Sequence, residues 1–198
     1  MAEPRLPRRR VLATVLADRA DTLIVAGLGS PAWDLFALGD RAENFYLWGG
    51  MGLAAMTGLG LAMAAPARRV VVITGDGEML MGLGSLATIA VQRPPNLAII
   101  VLDNQHYGET GMQTSHTAAG TDLTAIARGA GIPVVLTVAD EASLGELRVA
   151  VRDASGPVFA HVAVAVEDFR PAYPPRDGAY LKHRFRAALL GEAAAVDQ

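Results

Sequence analysis

The segment Arg69–Thr74 (RVVVIT) does most to constrain the fold. It is a run of β-branched residues with no polar alternation. A strand with one face in water alternates apolar and polar residues. A strand without alternation is buried on both faces, which is characteristic of parallel sheets covered by helices on each side. Asn96–Leu102 (NLAIIVL) has the same character. Thr22–Ala26, Asn44–Trp48, Ile132–Val138 and Pro157–Val164 read as further strands. Helical stretches lie between them: Arg5–Ala20 on the surface, a helix with Ser30 as N-cap and Pro31 in its first turn, and the small-residue stretch Gly50–Ala64. Glu78–Val91 follows, stopped by Pro94-Pro95, then Asp122–Ala130, then Asp140–Asp153 with Asp140 as N-cap. Alternating strands and helices predict an α/β fold: one parallel sheet with helices on both faces. No repeat or linker divides residues 1–198, so a single domain is expected, with 165–198 as a Pro- and Arg-rich C-terminal tail suited to wrapping a neighbour. Gln105–Thr121 is polar, rich in Gly and Thr, and aperiodic.

Composition removes several function classes. The net charge of -3 gives no electrostatic reason to expect a nucleic-acid partner, and Arg8-Arg9-Arg10 reads as a solvated terminus. No cysteine is present, which excludes disulfides and cysteine-held zinc or iron–sulfur centres and suits a reducing cytoplasm. Two stretches imitate membrane signals. Arg8–Val25 is broken by Asp18, Arg19 and Asp21; the uncharged run Gly49–Ala67 is mostly Gly, Ala and Met and reads as a buried helix. No membrane association is expected.

The chemistry lies at two strand ends, where open parallel sheets bind ligands. Gly75-Asp76-Gly77-Glu78 follows the first buried strand. Its glycines allow a sharp turn, and a helix N-terminus just beyond suits phosphate. A carboxylate beside phosphate needs an intervening cation, typically Mg²⁺. The second strand ends in Asp103-Asn104-Gln105-His106-Tyr107-Gly108, with Asn104 28 residues after Asp76. That interval holds one helix and one strand, so the two ends can be neighbours. The plain alternative is an ordinary turn with Asp76 as a helix cap.

Gly75-Asp76-Gly77 followed by Asp103-Asn104 resembles the thiamine-diphosphate motif. Asn44–Gly60 (NFYLWGGMGLAAMTGLG), Gly75–Ala90 (GDGEMLMGLGSLATIA) and Asp103–Thr117 (DNQHYGETGMQTSHT) resemble the diphosphate-binding subunit of sulfopyruvate decarboxylases and the matching domain of phosphonopyruvate decarboxylases. The resemblance covers Thr22–Val164. It implies that Asp76 and Asn104 ligate Mg²⁺ through side chains and His106 through its carbonyl. Gly75, Gly77, Glu78 and Met79 would line the diphosphate, with Tyr107 also facing the cofactor. Met51 would prop the cofactor into its bent shape, and Gly49 would offer its carbonyl to the aminopyrimidine. Read from the residues alone, Met51 is equally a core methionine.

Two departures stand out. Asp103 replaces the first asparagine of the pair found in many relatives. Thr110 occupies the position where related decarboxylases carry an acid. Glu109, Gln113 and His116 are polar candidates for handling a proton, or else solvated loop residues. The resemblance also implies a glutamate, on a separate pyrimidine-binding domain, that activates the cofactor. This chain has room for one domain, so the glutamate is expected from another subunit of a hetero-oligomer. The implied activity is decarboxylation of a small 2-oxo acid to an aldehyde and carbon dioxide. An acetolactate-synthase-like carboligase subunit and a non-catalytic cofactor-binding module are the alternatives.

Overall fold

The computed structural model describes residues 5–191. Its strands are β1 (Leu23–Ala26), β2 (Asn44–Tyr46), β3 (Val70–Gly75), β4 (Leu97–Asp103), β5 (His106–Tyr107), β6 (Gln113–Thr114), β7 (Val134–Val138) and β8 (Val158–Ala163). Six of them form one sheet in the order β2-β1-β3-β4-β8-β7, and every neighbouring pair is parallel. β5 and β6 form a separate antiparallel pair. The helices are α1 (Arg8–Val15), α2 (Ser30–Ala37), α3 (Ala54–Ala64), α4 (Asp76–Met81), α5 (Ser85–Gln92), α6 (Leu123–Ala130), α7 (Glu141–Asp153) and α8 (Gly178–Leu190).

β3 and β4 are buried almost throughout, as their unbroken apolar runs require. Successive residues feed opposite cores. Val71, Ile73, Ala98 and Ile100 pack with α1, α2 and α7, while Val70, Val72, Leu97 and Ile99 pack with α3, α5 and α6. The result is a sheet between two helical layers, as expected.

Several boundaries differ from expectation, each for a local reason. The first helix covers only Arg8–Val15: Pro7 is its N-cap, and Leu6 instead bridges Val164. Arg8 is buried and paired with Asp34 at 2.7 Å, so it is no solvated terminus. Ser30 is already helical, and the N-cap is Gly29 at φ 73°, a conformation that favours glycine. The Gly50–Ala64 stretch becomes helical only at Ala54, after a turn with Gly52 at φ 83°. The expected helix Glu78–Val91 starts two residues early and splits into α4 and α5 around Gly82-Leu83-Gly84. A Cβ on Gly82 would lie 2.3 Å from the Gly52 carbonyl oxygen, so two backbones meet at the break.

Asp140 caps α7, as expected, and the structure adds a reciprocal capping box with Ser143. The aperiodic stretch 105–121 holds the β5–β6 pair and a 3₁₀ turn, His116–Ala119. The C-terminal segment is fastened to its own chain: α8 buries Leu181 and Phe185, Phe185 meets Phe45 at 5.4 Å, and the Trp48 indole donates to the Pro175 carbonyl at 2.7 Å. Among the described residues, no helix is long and apolar enough to cross a membrane.

Candidate active site

The chain leaves β1 through α2 on one face and reaches β2. It then crosses by α3 on the other face to β3, on the far side of β1. Such a reversal parts the connecting loops and opens a crevice at the C-terminal ends of the strands. An open cleft lies there. Leu28, Gly29 and Ser30 line it after β1, Gly75–Glu78 after β3, and Asn104 with His106–Thr110 after β4; Met51 and Arg8 complete the walls.

Asp76 is 2% exposed, and its Oδ2 accepts from the Ser115 hydroxyl and from Thr117 at 3.4 Å. Burial pushes its carboxyl up to about 6, with the charge of Asp103 adding to the rise and the Ser115 hydrogen bond opposing it. No Arg, Lys or His pairs with it among the described residues. Asp103 has a different fate. Its Oδ2 meets His161 Nε2 at 2.7 Å, and its Oδ1 accepts from the Gln105 N–H at 2.7 Å and the Thr117 hydroxyl at 2.9 Å. Burial disfavours its charge, but His161, Thr117 and the Gln105 N–H outweigh burial and hold its carboxyl below the usual range. Glu78 is also buried. Thr74 donates to it at 2.8 Å and the Ala54 N–H at 3.4 Å, and burial raises its carboxyl. A Cβ on Gly27 would lie 1.7 Å from Glu78 Oε2, so this carboxylate is wedged beneath the turn after β1.

The sequence candidates separate into two groups. Gly75, Asp76, Gly77, Glu78, Met51, Asn104, His106, Tyr107 and Glu109 all line the cleft. The Tyr107 ring lies directly on Gly77, where a Cβ would come within 2.4 Å of it. Glu109 packs over Gly29, and burial raises its carboxyl. Met79, Gly49, Gln113 and His116 do not line the cleft. Met79 is buried in the core between sheet and helices. Gly49 is exposed, on a half-buried stretch before the Gly52 turn. Gln113 is exposed and bonded to Thr110 through both ends of its amide. His116 is exposed, with Nδ1 3.3 Å from the Tyr107 hydroxyl. Sequence reasoning missed Ser115 and Thr117, which serve Asp76, and the Leu28-Gly29-Ser30 turn. The glycines after the first apolar run were a visible signal for that turn, but only the strand order places it opposite Asp76.

Asp76 and Asn104 offer hard oxygen donors at one cleft. No group of three His, Cys, Asp or Glu side chains able to hold a metal exists among the described residues. A buried carboxylate without a cationic partner, in a cleft also lined by the Asn104 amide, whose oxygen accepts from the His106 N–H at 2.9 Å and keeps a second lone pair, fits Mg²⁺ that draws its other ligands from phosphate oxygens and carbonyls.

The chain was compared with known proteins. The profile of the family "Thiamine pyrophosphate enzyme, C-terminal TPP binding domain" matches residues 36–162. The sulfopyruvate decarboxylase subunit beta of Methanothermobacter thermautotrophicus is 42% identical over 159 residues, covering 80% of this chain and 82% of that one. The phosphonopyruvate decarboxylase of Streptomyces viridochromogenes is 37% identical over 182 residues, covering 90% of this chain but 44% of that one. Among solved structures, a thiamine diphosphate-dependent 4-hydroxybenzoylformate decarboxylase from Rhodococcus jostii RHA1 superposes with a TM-score of 0.70 at 21% identity, over 85% of this chain and 34% of that one, a likeness of fold. This chain belongs to the thiamine pyrophosphate enzymes and carries their C-terminal TPP-binding domain.

Proposed function

We propose that this chain is the diphosphate-binding subunit of a two-subunit, Mg²⁺- and thiamine-diphosphate-dependent 2-oxo acid decarboxylase acting in the cytoplasm. The observation that carries the proposal is the meeting of Asp76 and Asn104 at the cleft where the strand order reverses. The similarity to a subunit beta over most of both chains supports the two-subunit reading. So does the similarity to less than half of a longer decarboxylase. A small 2-oxo acid bearing a sulfonate or phosphonate is the substrate class those relatives' names suggest.

When bound, thiamine diphosphate supplies the nucleophilic carbon and the electron sink that decarboxylation needs. This chain's residues hold and orient it. Asp76 and the Asn104 side-chain oxygen bind the metal, with the His106 carbonyl as a third donor. Gly75 and Gly77 would let the backbone approach the diphosphate, and Met51 on the cleft wall would pack against the cofactor. The glutamate that activates the aminopyrimidine comes from the partner subunit. Of the three loop candidates for handling a proton, only Glu109 lines the cleft. Glu109 is an exposed residue at the cleft mouth, packed over Gly29, and partial desolvation raises its carboxyl from the usual value, the direction that favours holding a proton for the product.

The test is co-expression with a partner subunit and assay of carbon dioxide release from sulfonate- and phosphonate-bearing 2-oxo acids. Asp76→Ala is expected to abolish Mg²⁺-dependent cofactor binding. Retained binding would refute the site assignment, and coupled carboligation products in place of aldehyde would refute the reaction class.

A further inference from the structure

We infer that His161 is a positioning residue for the metal-binding loop: by donating to Asp103 it holds the buried acid that clamps the backbone turn between Asn104 and His106. The inference rests on the proposed metal site.

Gln105, next to Asn104, is a non-glycine residue at φ 65°, in the left-handed region. Such a conformation persists only where the surroundings enforce it. Two bonds do so here. The Gln105 N–H donates to Asp103 Oδ1 at 2.7 Å, and the Ser115 N–H donates to the Gln105 carbonyl at 2.8 Å. Asn104 and His106 flank this residue, so the clamp that bends the chain at Gln105 also aims both proposed ligands.

The clamp's acid end is 3% exposed. We assign His161 the tautomer with its proton on Nε2, which makes it the donor to Asp103 Oδ2 at the 2.7 Å contact. β4 and β8 are paired with Asp103 opposite Ala163, which puts His161 on the adjoining strand, two residues upstream of that partner. A third contact makes the donor consequential. Thr117 has one hydroxyl proton and lies between two carboxylates, Asp103 at 2.9 Å and Asp76 at 3.4 Å. With His161 in place, Asp103 is satisfied by three donors, and Asp76 is left with Ser115 and an open side toward the cleft. Without His161, the two acids compete for Thr117, and the clamp on Gln105 loosens. An asparagine at 103 weakens that competition, because it carries no charge, while its amide oxygen still accepts from Gln105.

The experiment compares His161→Phe, Asp103→Asn, the double variant and wild type in the assembled complex, reading the Mg²⁺ concentration that half-saturates thiamine diphosphate binding. His161→Phe is expected to raise it about 10- to 100-fold, the usual cost of removing a group that orients a metal ligand. Asp103→Asn added to it should restore most of the loss. His161→Gln, which keeps a donor, should stay near wild type and serves if the Phe variant is unstable. Unchanged half-saturation in His161→Phe, or a double variant as impaired as the single, overturns the inference. Amide hydrogen exchange at Gln105 in the ligand-free chain gives an independent reading. Faster exchange in His161→Phe supports the clamp even if wild type shows no Mg²⁺-dependent binding and the functional proposal falls, whereas unchanged exchange refutes the clamp outright.

Discussion

Replacing Gly82 by Ala tests the link between the broken helix and the cleft. Gly82 sits at φ −97° and ψ 22°, which alanine adopts freely, so the backbone at that site tolerates the change. The obstacle is contact: the new Cβ would lie 2.3 Å from the Gly52 carbonyl oxygen. Carbon and oxygen in contact settle at about 3.3 Å, so the turn must yield by about 1 Å. That oxygen belongs to backbone and has no rotamer to escape into. Overpacking of this kind costs about 1–3 kcal/mol, offset by about 0.4–1 kcal/mol from lost glycine freedom in the unfolded chain. The net is destabilisation of about 0–2.6 kcal/mol, centred on about 1.3 kcal/mol, which for a chain of this size lowers Tm by about 3–5 °C at the centre of that range. The functional effect should exceed the stability effect. The displaced turn carries Met51, and the nearby Ala54 N–H bonds Glu78. A misplacement of about 1 Å can cost about 10²-fold in rate. Thermal melting and thiamine diphosphate titration of the variant check both parts. A Gly82→Ala protein that melts at or above wild type and binds cofactor unchanged would refute the claimed backbone contact.

Three further outcomes are expected. Within α3, Gly58→Ala and Gly60→Ala should act in opposite directions in urea unfolding: a Cβ at Gly58 meets buried Val72 Cγ2 at 2.2 Å, while at Gly60 it meets nothing within 4 Å and gains about 1 kcal/mol of helix propensity. Mg²⁺ titrations at several pH values should show affinity flat above pH 6 and falling about tenfold per unit below it, as protons compete for Asp76, whose carboxyl is pushed up to about 6. By the same raised value, Asp76 favours the ligand-free fold at low pH, and that contribution is lost as pH rises to about 6. Finally, Glu109→Gln should lower kcat of the assembled complex by about 10²-fold with little change in cofactor affinity; an unchanged kcat would remove Glu109 from the chemistry.

What was legible in the sequence followed from backbone periodicity. The unalternating runs of β3 and β4 announce burial on both faces, and their partners in the sheet confirm it. Asp76 and Asn104 were legible because strand-end position follows from the strand alone. What escaped depends on contacts distant in sequence. Nothing local at Gly82 reveals that Gly52 presses against it, so the α4–α5 break read as one helix. Arg8 looked like a terminal charge because Asp34, 26 residues on, was not in view. Met79 follows Glu78 directly, but the α4 helix turns its side chain into the core.

The three buried acids show how far type and spacing can carry a functional reading. Asp76, Glu78 and Asp103 are all nearly inaccessible acids at the ends of β3 and β4. Their partners separate them. Asp103 has a histidine and two other donors and needs nothing more. Glu78 has a hydroxyl and backbone N–H groups from the two turns that border the cleft, so it ties those turns together. A carboxylate held this way beneath Gly27 is poorly placed to meet a diphosphate, which would repel it. That leaves its backbone, with those of Gly75 and Gly77, as the surface a diphosphate can approach. Asp76 alone has hydroxyls on one side and the cleft on the other. A buried charge left in that condition either takes up a proton or meets a cation. The cleft supplies room for the cation and, in Asn104, a second oxygen to hold it.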